Sequence, residues 1–270
     1  MRAEGRYPGP EDGSDQSRNS AGFMGSLEKF VAEIGWLTKI LVVVNVLVYV
    51  LEWYMDWKFY QYCIWLPKMV DGEIFRVVTA AFSHVDFKHI FFNMVTLVLF
   101  SPPLEKHHGF LKYCLLNAIL IIGQGALLIL ILFGMTYLPE SLNGGEKVNK
   151  SCVLGYSGVL FGYTLLWSHI GDKYMNLFGM FKMRKLFFPW AWLLFTSIIV
   201  PEASFVGHLS GLLTALIMRF TLFTEDEKIC GEGDHNLIAL INWIRGKKKN
   251  NSNGFTVEHQ MRPMRVGSSV

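Results

Sequence analysis

Residues 151–170 read SCVLGYSGVLFGYTLLWSHI, and residues 204–223 read SFVGHLSGLLTALIMRFTLF. Both stretches are apolar over about the 20 residues that an α-helix needs to cross the ~30 Å hydrocarbon core of a bilayer. Neither is a plain lipid anchor. Gly155, Gly158 and Gly162 recur at intervals of three and four, and Gly207, Gly211 and Ala215 recur every four. Each set forms a small-residue face that lets a second helix approach closely. Ser157 lies within the first face and His208 beside the second. If the faces meet, the imidazole of His208 reaches the hydroxyl of Ser157, and an imidazole of ordinary basicity can act as general base toward a serine. Taken singly, a Gly/Ser-rich packing face is the commoner reading of the first stretch, and a hydrogen-bonded core histidine is about as common as a functional one in the second.

Working outward, the chain is 270 residues long, 51% hydrophobic, 14% aromatic and 17% charged. With a mean hydropathy of +0.31, it is too apolar for a soluble globule, a disordered chain or a disulfide-stapled secreted module. A net charge of +3 supplies no general basic field, so nucleic acid is excluded as a partner. Six runs are near spanning length: 36–55, 87–101, 110–138, 151–170, 186–200 and 204–223. The second and fifth are short, and apolar flanks at 77–82 and around Phe181 lengthen them. The expected fold is all-α, a polytopic membrane protein with six transmembrane helices. Residues 1–35 read as a disordered cytosolic arm, 36–223 as the membrane unit and 224–270 as a cytosolic tail. Within that tail, apolar 236–244 followed by Arg245 and the lysines at 247–249 suits an interfacial helix on anionic lipid or a solvated charge run. Residues 57–83 carry Trp57, Phe59, Tyr60, Tyr62, Trp65 and Phe75, which suits a loop lying in the outer interface or an ordinary aromatic belt.

Six spans place both ends of the chain on one side. Seventeen Lys and Arg residues fall on that side and five on the other, so the positive-inside rule puts both termini in the cytosol. The short 4–5 loop, with Lys173, Lys182, Arg184 and Lys185 against Asp172, gives the same answer alone. The four cysteines, Cys63, Cys114, Cys152 and Cys230, show no paired spacing and are expected to be free thiols, with no metal site.

An ionisable side chain at membrane depth costs on the order of 2.5–3.5 kcal/mol or more, which makes it a functional candidate. The second span region carries His84, Lys88, His89 and Asn93, the fourth Ser157 and the sixth His208. His89 and Asn93, four apart, project from one helical face. Their N–H groups can converge as an oxyanion site, or they belong to a polar network that ties helices together. Phe161, four residues after Ser157, lies on the serine's face and can pack on the imidazole. Asn45, Asn117 and Gln124 stand alone within spans and are expected to make interhelical hydrogen bonds.

His84-x4-His89-x3-Asn93, Leu104-Glu105 with Gly109, Gly155-Tyr156-Ser157-Gly158 and Gly207-His208-x2-Gly211, in this order on spans two, four and six, resemble the rhomboid family of intramembrane serine proteases. The similarity runs over about 36–223 and is greatest to the endoplasmic-reticulum type of eukaryotic rhomboid. It implies a rhomboid-like bundle and a Ser157–His208 dyad without a third acidic member. It also implies an oxyanion hole from Asn93, His89 and the Ser157 amide, with His84, Phe161, Gly155, Gly158, Gly207, Gly211 and Glu105 in support. No metal or cofactor is implied. Substrates would be transmembrane proteins met within the lipid bilayer of the endoplasmic reticulum or another secretory-pathway membrane, with a possible cytosolic adaptor on the tail. The fifth span, with Trp190, Trp192 and Phe195, would be the lateral gate.

The chain departs from the family pattern in several places. Phe161 replaces a frequent Tyr, Phe75-Arg76 a Trp-Arg pair, His107 a frequent Arg, and Ala215 a Gly. Pro102-Pro103 replaces Gly-Gly and is expected to stiffen the turn after the second span. These changes bear on loop anchoring and lateral access. The zinc-protease motif HExxH is absent, and Gly231-Glu232-Gly233-Asp234, which resembles an aspartyl-protease motif, lies in the polar tail. The rival within the same superfamily is a non-catalytic scaffold that binds membrane clients for quality control or trafficking. A transporter would show internal repeats or broken helices, and the sequence has neither.

Overall fold

The computed structural model describes residues 25, 28, 31–142, 146–177 and 181–222. The 1–24 part of the arm and the tail beyond 222, including the interfacial stretch and basic cluster, lie outside the described residues. Six apolar helices dominate: α1 (Trp36–Tyr54), α4 (Phe87–His108), α5 (Phe110–Met135), α7 (Ser157–Trp167), α8 (Phe188–Ile199) and α9 (Phe205–Thr221), with α2 (Leu66–Val70), α3 (Arg76–Phe82) and α6 (Glu146–Asn149) between them. The first three are long and apolar enough to cross a membrane, and the other three are shorter. Val43, Leu47, Phe92, Leu130, Ile198 and Phe220 are exposed on the helices' outer faces, where lipid rather than water suits them.

The helix ends explain the segmentation. Asp86 caps α4 by accepting from the His89 amide at 2.8 Å, which separates α4 from α3. The apolar flank at 77–82 therefore forms its own short helix instead of lengthening the second span. Gly109, at φ 73°, takes the left-handed turn between α4 and α5. The helix α4 runs through Pro102 and Pro103 to His108, so the prolines stiffen the last turns of the span, not the loop after it. Tertiary contacts hold those turns despite the missing amide donors. Leu104 is fully buried, and the Glu105 carboxylate accepts from the amides of Leu37 (2.8 Å) and Thr38 (3.0 Å) at the start of α1. Thr38 Oγ1 also donates to Glu105, at 2.8 Å. A side chain at Gly35 would sit 2.2 Å from the Glu105 carboxyl group, so only glycine lets this acid close over the helix start.

Two antiparallel ribbons accompany the helices. One pairs β1 (Ile64–Trp65) with β2 (Cys152–Val153), matching Ile64 to Val153 and Trp65 to Cys152. The other joins β3 (Tyr174–Leu177) to β4 (Phe181–Arg184), so Phe181 belongs to a strand and not to the fifth span. The first ribbon overturns the expectation of free thiols: Cys63 and Cys152 form a disulfide across 89 residues of chain, with their Cα atoms 5.4 Å apart. Sequence spacing carried no sign of it, because the two cysteines belong to different loops that meet only once the chain is folded. Cys114 remains a free thiol.

The helices α7 and α9 pack backbone to backbone. A Cβ on Gly211 would lie 1.8 Å from the Gly158 carbonyl oxygen, and one on Gly162 would lie 3.2 Å from the Gly211 carbonyl oxygen. Buried Leu160, Leu212 and Ala215 fill the same core. Asn117 ties α5 to α7 by accepting from the hydroxyls of Tyr156 (2.5 Å) and Tyr163 (2.6 Å). Asn45 differs from expectation: its amide nitrogen donates to Leu41 of its own helix at 2.8 Å, while its Oδ1 is buried without a hydrogen-bond partner among the described residues. Gln124 lies against Gly158, its Oε1 2.4 Å from where a Cβ would stand.

Candidate active site

Ser157 is the first residue of α7 and is half-buried. The turn that delivers it depends on Gly155, whose φ of +107° is a conformation L side chains rarely adopt. The Gly155 amide donates to the Ala80 carbonyl of α3 at 2.7 Å. Gly155 therefore does not belong to the helical small-residue face with Gly158 and Gly162. It makes room for polar side chains instead: a Cβ there would stand 2.6 Å from both Cε1 and Nε2 of His89 and 3.7 Å from Nδ2 of Asn93.

His208 sits near the start of α9, whose cap residue Ser204 accepts from the Gly207 amide at 3.1 Å. Because α7 and α9 touch at Gly158 and Gly211, His208 Nε2 comes within 3.1 Å of Ser157 Oγ. The ring stacks on Phe161, centroids 4.3 Å apart and planes inclined by 27°. The other nitrogen, Nδ1, is buried with no hydrogen-bond partner among the described residues. Aromatic contact, not a carboxylate, sets the orientation of this ring.

Asn93 is buried on α4, and its Nδ2 donates to the His89 carbonyl at 3.0 Å. An amide nitrogen carries two hydrogens, so one stays available. His84 is buried and meets His89 edge to face at 5.1 Å, and its Nδ1 lies 3.1 Å from the Phe82 carbonyl oxygen. Lys88 is exposed in the first turn of α4, on the outside of this cluster. Glu105 lies at the opposite end of α4 from His89 and acts on helix packing. Glu52 was overlooked in the sequence. It is buried late in α1 and accepts from the His84 amide at 3.4 Å. An acid inside an apolar run was the signal that pointed to it.

The arrangement thus places a serine hydroxyl against an imidazole, at a helix start whose free first-turn amides favour negative charge. Two further polar donors approach the backbone just before that serine. The chain matches the Rhomboid domain family over residues 71–225, more than half its length. It belongs to the rhomboid family. Rhomboid-like protein 15 of Arabidopsis thaliana is 27% identical over 194 residues, covering 70% of this chain and 47% of the relative. Rhomboid-related protein 4 of Mus musculus is 30% identical over 164 residues, 60% of this chain and 50% of the relative. Rhomboid-type serine protease B of Aspergillus fumigatus is 25% identical over 228 residues, 82% and 76% respectively. This rhomboid spans about half the length of the first two relatives. Two of these relatives are named as proteases, the fungal protein and a Bacillus subtilis protein called a putative rhomboid protease.

Proposed function

We propose that this rhomboid is an intramembrane serine endopeptidase that cleaves single-span membrane proteins within or next to their transmembrane helix. The observation that carries the reading is the 3.1 Å contact between Ser157 Oγ and His208 Nε2. In the proposed cycle, Nε2 takes the hydroxyl proton as Oγ attacks the scissile carbonyl carbon, and the carbonyl π electrons move onto oxygen. The oxyanion is stabilised by the Ser157 amide, Asn93 Nδ2 and the His89 ring. The imidazolium then protonates the departing amine, leaving an acyl-enzyme. Water, deprotonated by the same imidazole, attacks the ester and releases the acid. The partial exposure of Ser157 supports water access for this second half.

A transmembrane helix satisfies its own backbone, so a cleavable client must unwind locally, as Gly- or Pro-containing helices do. The Cys63–Cys152 disulfide supports placing the loops that carry it in an oxidising compartment. That agrees with cytosolic termini, a membrane unit over 36–223 in the endoplasmic reticulum or another secretory-pathway membrane, and a tail free to meet a cytosolic adaptor. The test is Ser157→Ala with a co-expressed single-span client. Loss of cleavage and of fluorophosphonate labelling, with client binding kept, is the expected result. Unchanged cleavage overturns the reading, and a wild-type chain that binds clients but neither cleaves them nor reacts with the probe is a scaffold.

A further inference from the structure

We infer that the Cys63–Cys152 disulfide is a positioning element of the Ser157 site, so that the serine is correctly placed only in the oxidised protein; the inference rests on the protease reading above. Cys152 lies five residues ahead of Ser157, and the chain between them is also held by the β1–β2 pairing, by the Gly155 amide on the Ala80 carbonyl and by buried Tyr156, whose hydroxyl donates to Asn117. Cys63 is fully buried and belongs to a loop that is itself fixed. Arg76 Nη1 donates to the carbonyls of Tyr60 (2.9 Å) and Cys63 (3.0 Å), and its Nε and Nη2 hold Glu73 Oε2 at 2.8 and 2.6 Å. Trp65 Nε1 donates to the Asn149 carbonyl at 2.5 Å.

These contacts form a closed frame. The helix α3 grips the loop through Arg76 and receives Gly155 through Ala80, one turn further on. The disulfide joins the loop to the strand that runs into Gly155. A two-residue ribbon has little stability of its own, so the covalent link supplies the constraint. Opening it frees the 152–155 segment, ahead of anchored Tyr156, to drift. Drift of that segment displaces Gly155 from His89 and Asn93 and pulls on the first turn of α7, which shifts Ser157 relative to His208, anchored independently on α9. A misplacement of about 1 Å at reacting groups costs on the order of 100-fold in rate.

The test uses the full chain in lipid nanodiscs, in a Cys114→Ser, Cys230→Ser background so that only this pair titrates. Dithiothreitol reduces the pair: each sulfur gains one electron and one proton, and the reagent closes to its cyclic disulfide. Maleimide mass labelling after denaturation verifies the state. Three readouts are taken before and after reduction: kcat and KM on a single-span client, the rate of fluorophosphonate labelling, and hydrogen exchange of the Gly155 amide. Reduction is expected to lower kcat and probe labelling by about 10- to 100-fold with little change in KM, and to speed Gly155 exchange by at least about tenfold without opening α7 or α9. Cys63→Ala, Cys152→Ala is expected to show the reduced rates and no response to dithiol. Complete reduction that leaves kcat and Gly155 exchange unchanged overturns the proposal. So does a loss of activity with Gly155 exchange unaltered, or a double variant as active as the oxidised parent. If neither redox state cleaves or labels, the protease reading fails separately, and Gly155 exchange still decides whether the disulfide positions the segment.

Discussion

His208 carries no acidic partner on Nδ1 among the described residues, so Phe161 is the group that restrains its ring. Stacking of two flat rings at 4.3 Å restricts rotation about the imidazole's χ2 and covers one face from water. Truncation to Phe161→Ala removes both effects while leaving every proton-transfer atom in place. The expected outcome is a fall in kcat of about tenfold, from lost orientation, with KM nearly unchanged; Phe161→Tyr restores the stack and most of the rate. Steady-state cleavage of a single-span client by both variants checks this. Asn93→Ala probes the other side of the serine. Deleting one oxyanion donor costs about 10²–10³ in kcat, and a smaller loss would leave Asn93 a buried amide satisfied within its own helix by the His89 carbonyl. The pairing of Ser157 with His208 was legible because both lie beside glycine faces at helical spacing. The helical role given to Gly155 was not correct, since a positive φ is invisible in spacing. Glu52 was passed over because its contact, the amide of His84, lies on a different element.

Helix packing in this protein turns on where a single carbon atom fits. Gly211 on α9 faces the Gly158 carbonyl oxygen so closely that a methyl group would stand 1.8 Å from it, and backbone cannot yield as a side chain does. Gly211→Ala is expected to separate α7 from α9, destabilising the bundle by about 3 kcal/mol or more and abolishing cleavage with it. Gly134 on α5 has nothing within 4 Å of its would-be Cβ, so Gly134→Ala is neutral or stabilising by up to about 1 kcal/mol. Thermal unfolding in one detergent compares the two. The loop frame gives a second contrast. Arg76 uses its planar fork on two carbonyls and a carboxylate at once, which a lysine cannot do, so Arg76→Lys leaves a carbonyl without its donor and costs about 1–3 kcal/mol. The hydrogen bond from Arg76 holds the Glu73 carboxyl below its usual value of 4.5. A lowered carboxylate contributes fully above that usual value and is lost only as pH falls through the lowered one. The melting difference between wild type and Arg76→Lys therefore persists at pH 5. Helices of this kind are readable from apolar runs and small-residue periodicity, as α7 and α9 were. The extension of α4 through Pro102-Pro103 was not, because what holds those turns is Glu105 bonded to α1, a tertiary contact that overrides local propensity.

At the scale of the whole molecule, two unrelated quantities bear on how the chain sits in its membrane. One is the distribution of Lys and Arg, seventeen on the side of the termini against five on the other. The other is a disulfide joining the two loops that the proposed topology puts opposite the termini, which charge counting knows nothing about. A disulfide persists in the secretory lumen and is reduced in the cytosol, so both agree with the proposed placement of the β1–β2 ribbon in the lumen. Glycosylation reads the same axis independently, since only lumenal sequons are modified. The chain carries two sequons, Asn149-Lys150-Ser151 and Asn250-Asn251-Ser252. Asn149 is on the lumenal side in this arrangement, but its carbonyl is held by Trp65 of the ribbon, which keeps this sequon from extending to the transferase. Wild-type protein in microsomes is therefore expected to carry no glycan on either site, while a sequon carried on a flexible insertion between Leu138 and Glu140 gains one that endoglycosidase H removes. A membrane-impermeant maleimide should label Ser252→Cys in intact vesicles. Sugar on Asn250 would invert the whole arrangement: the ribbon would then face a reducing compartment, the disulfide could not persist, and the frame that carries Ser157 would lose its covalent member.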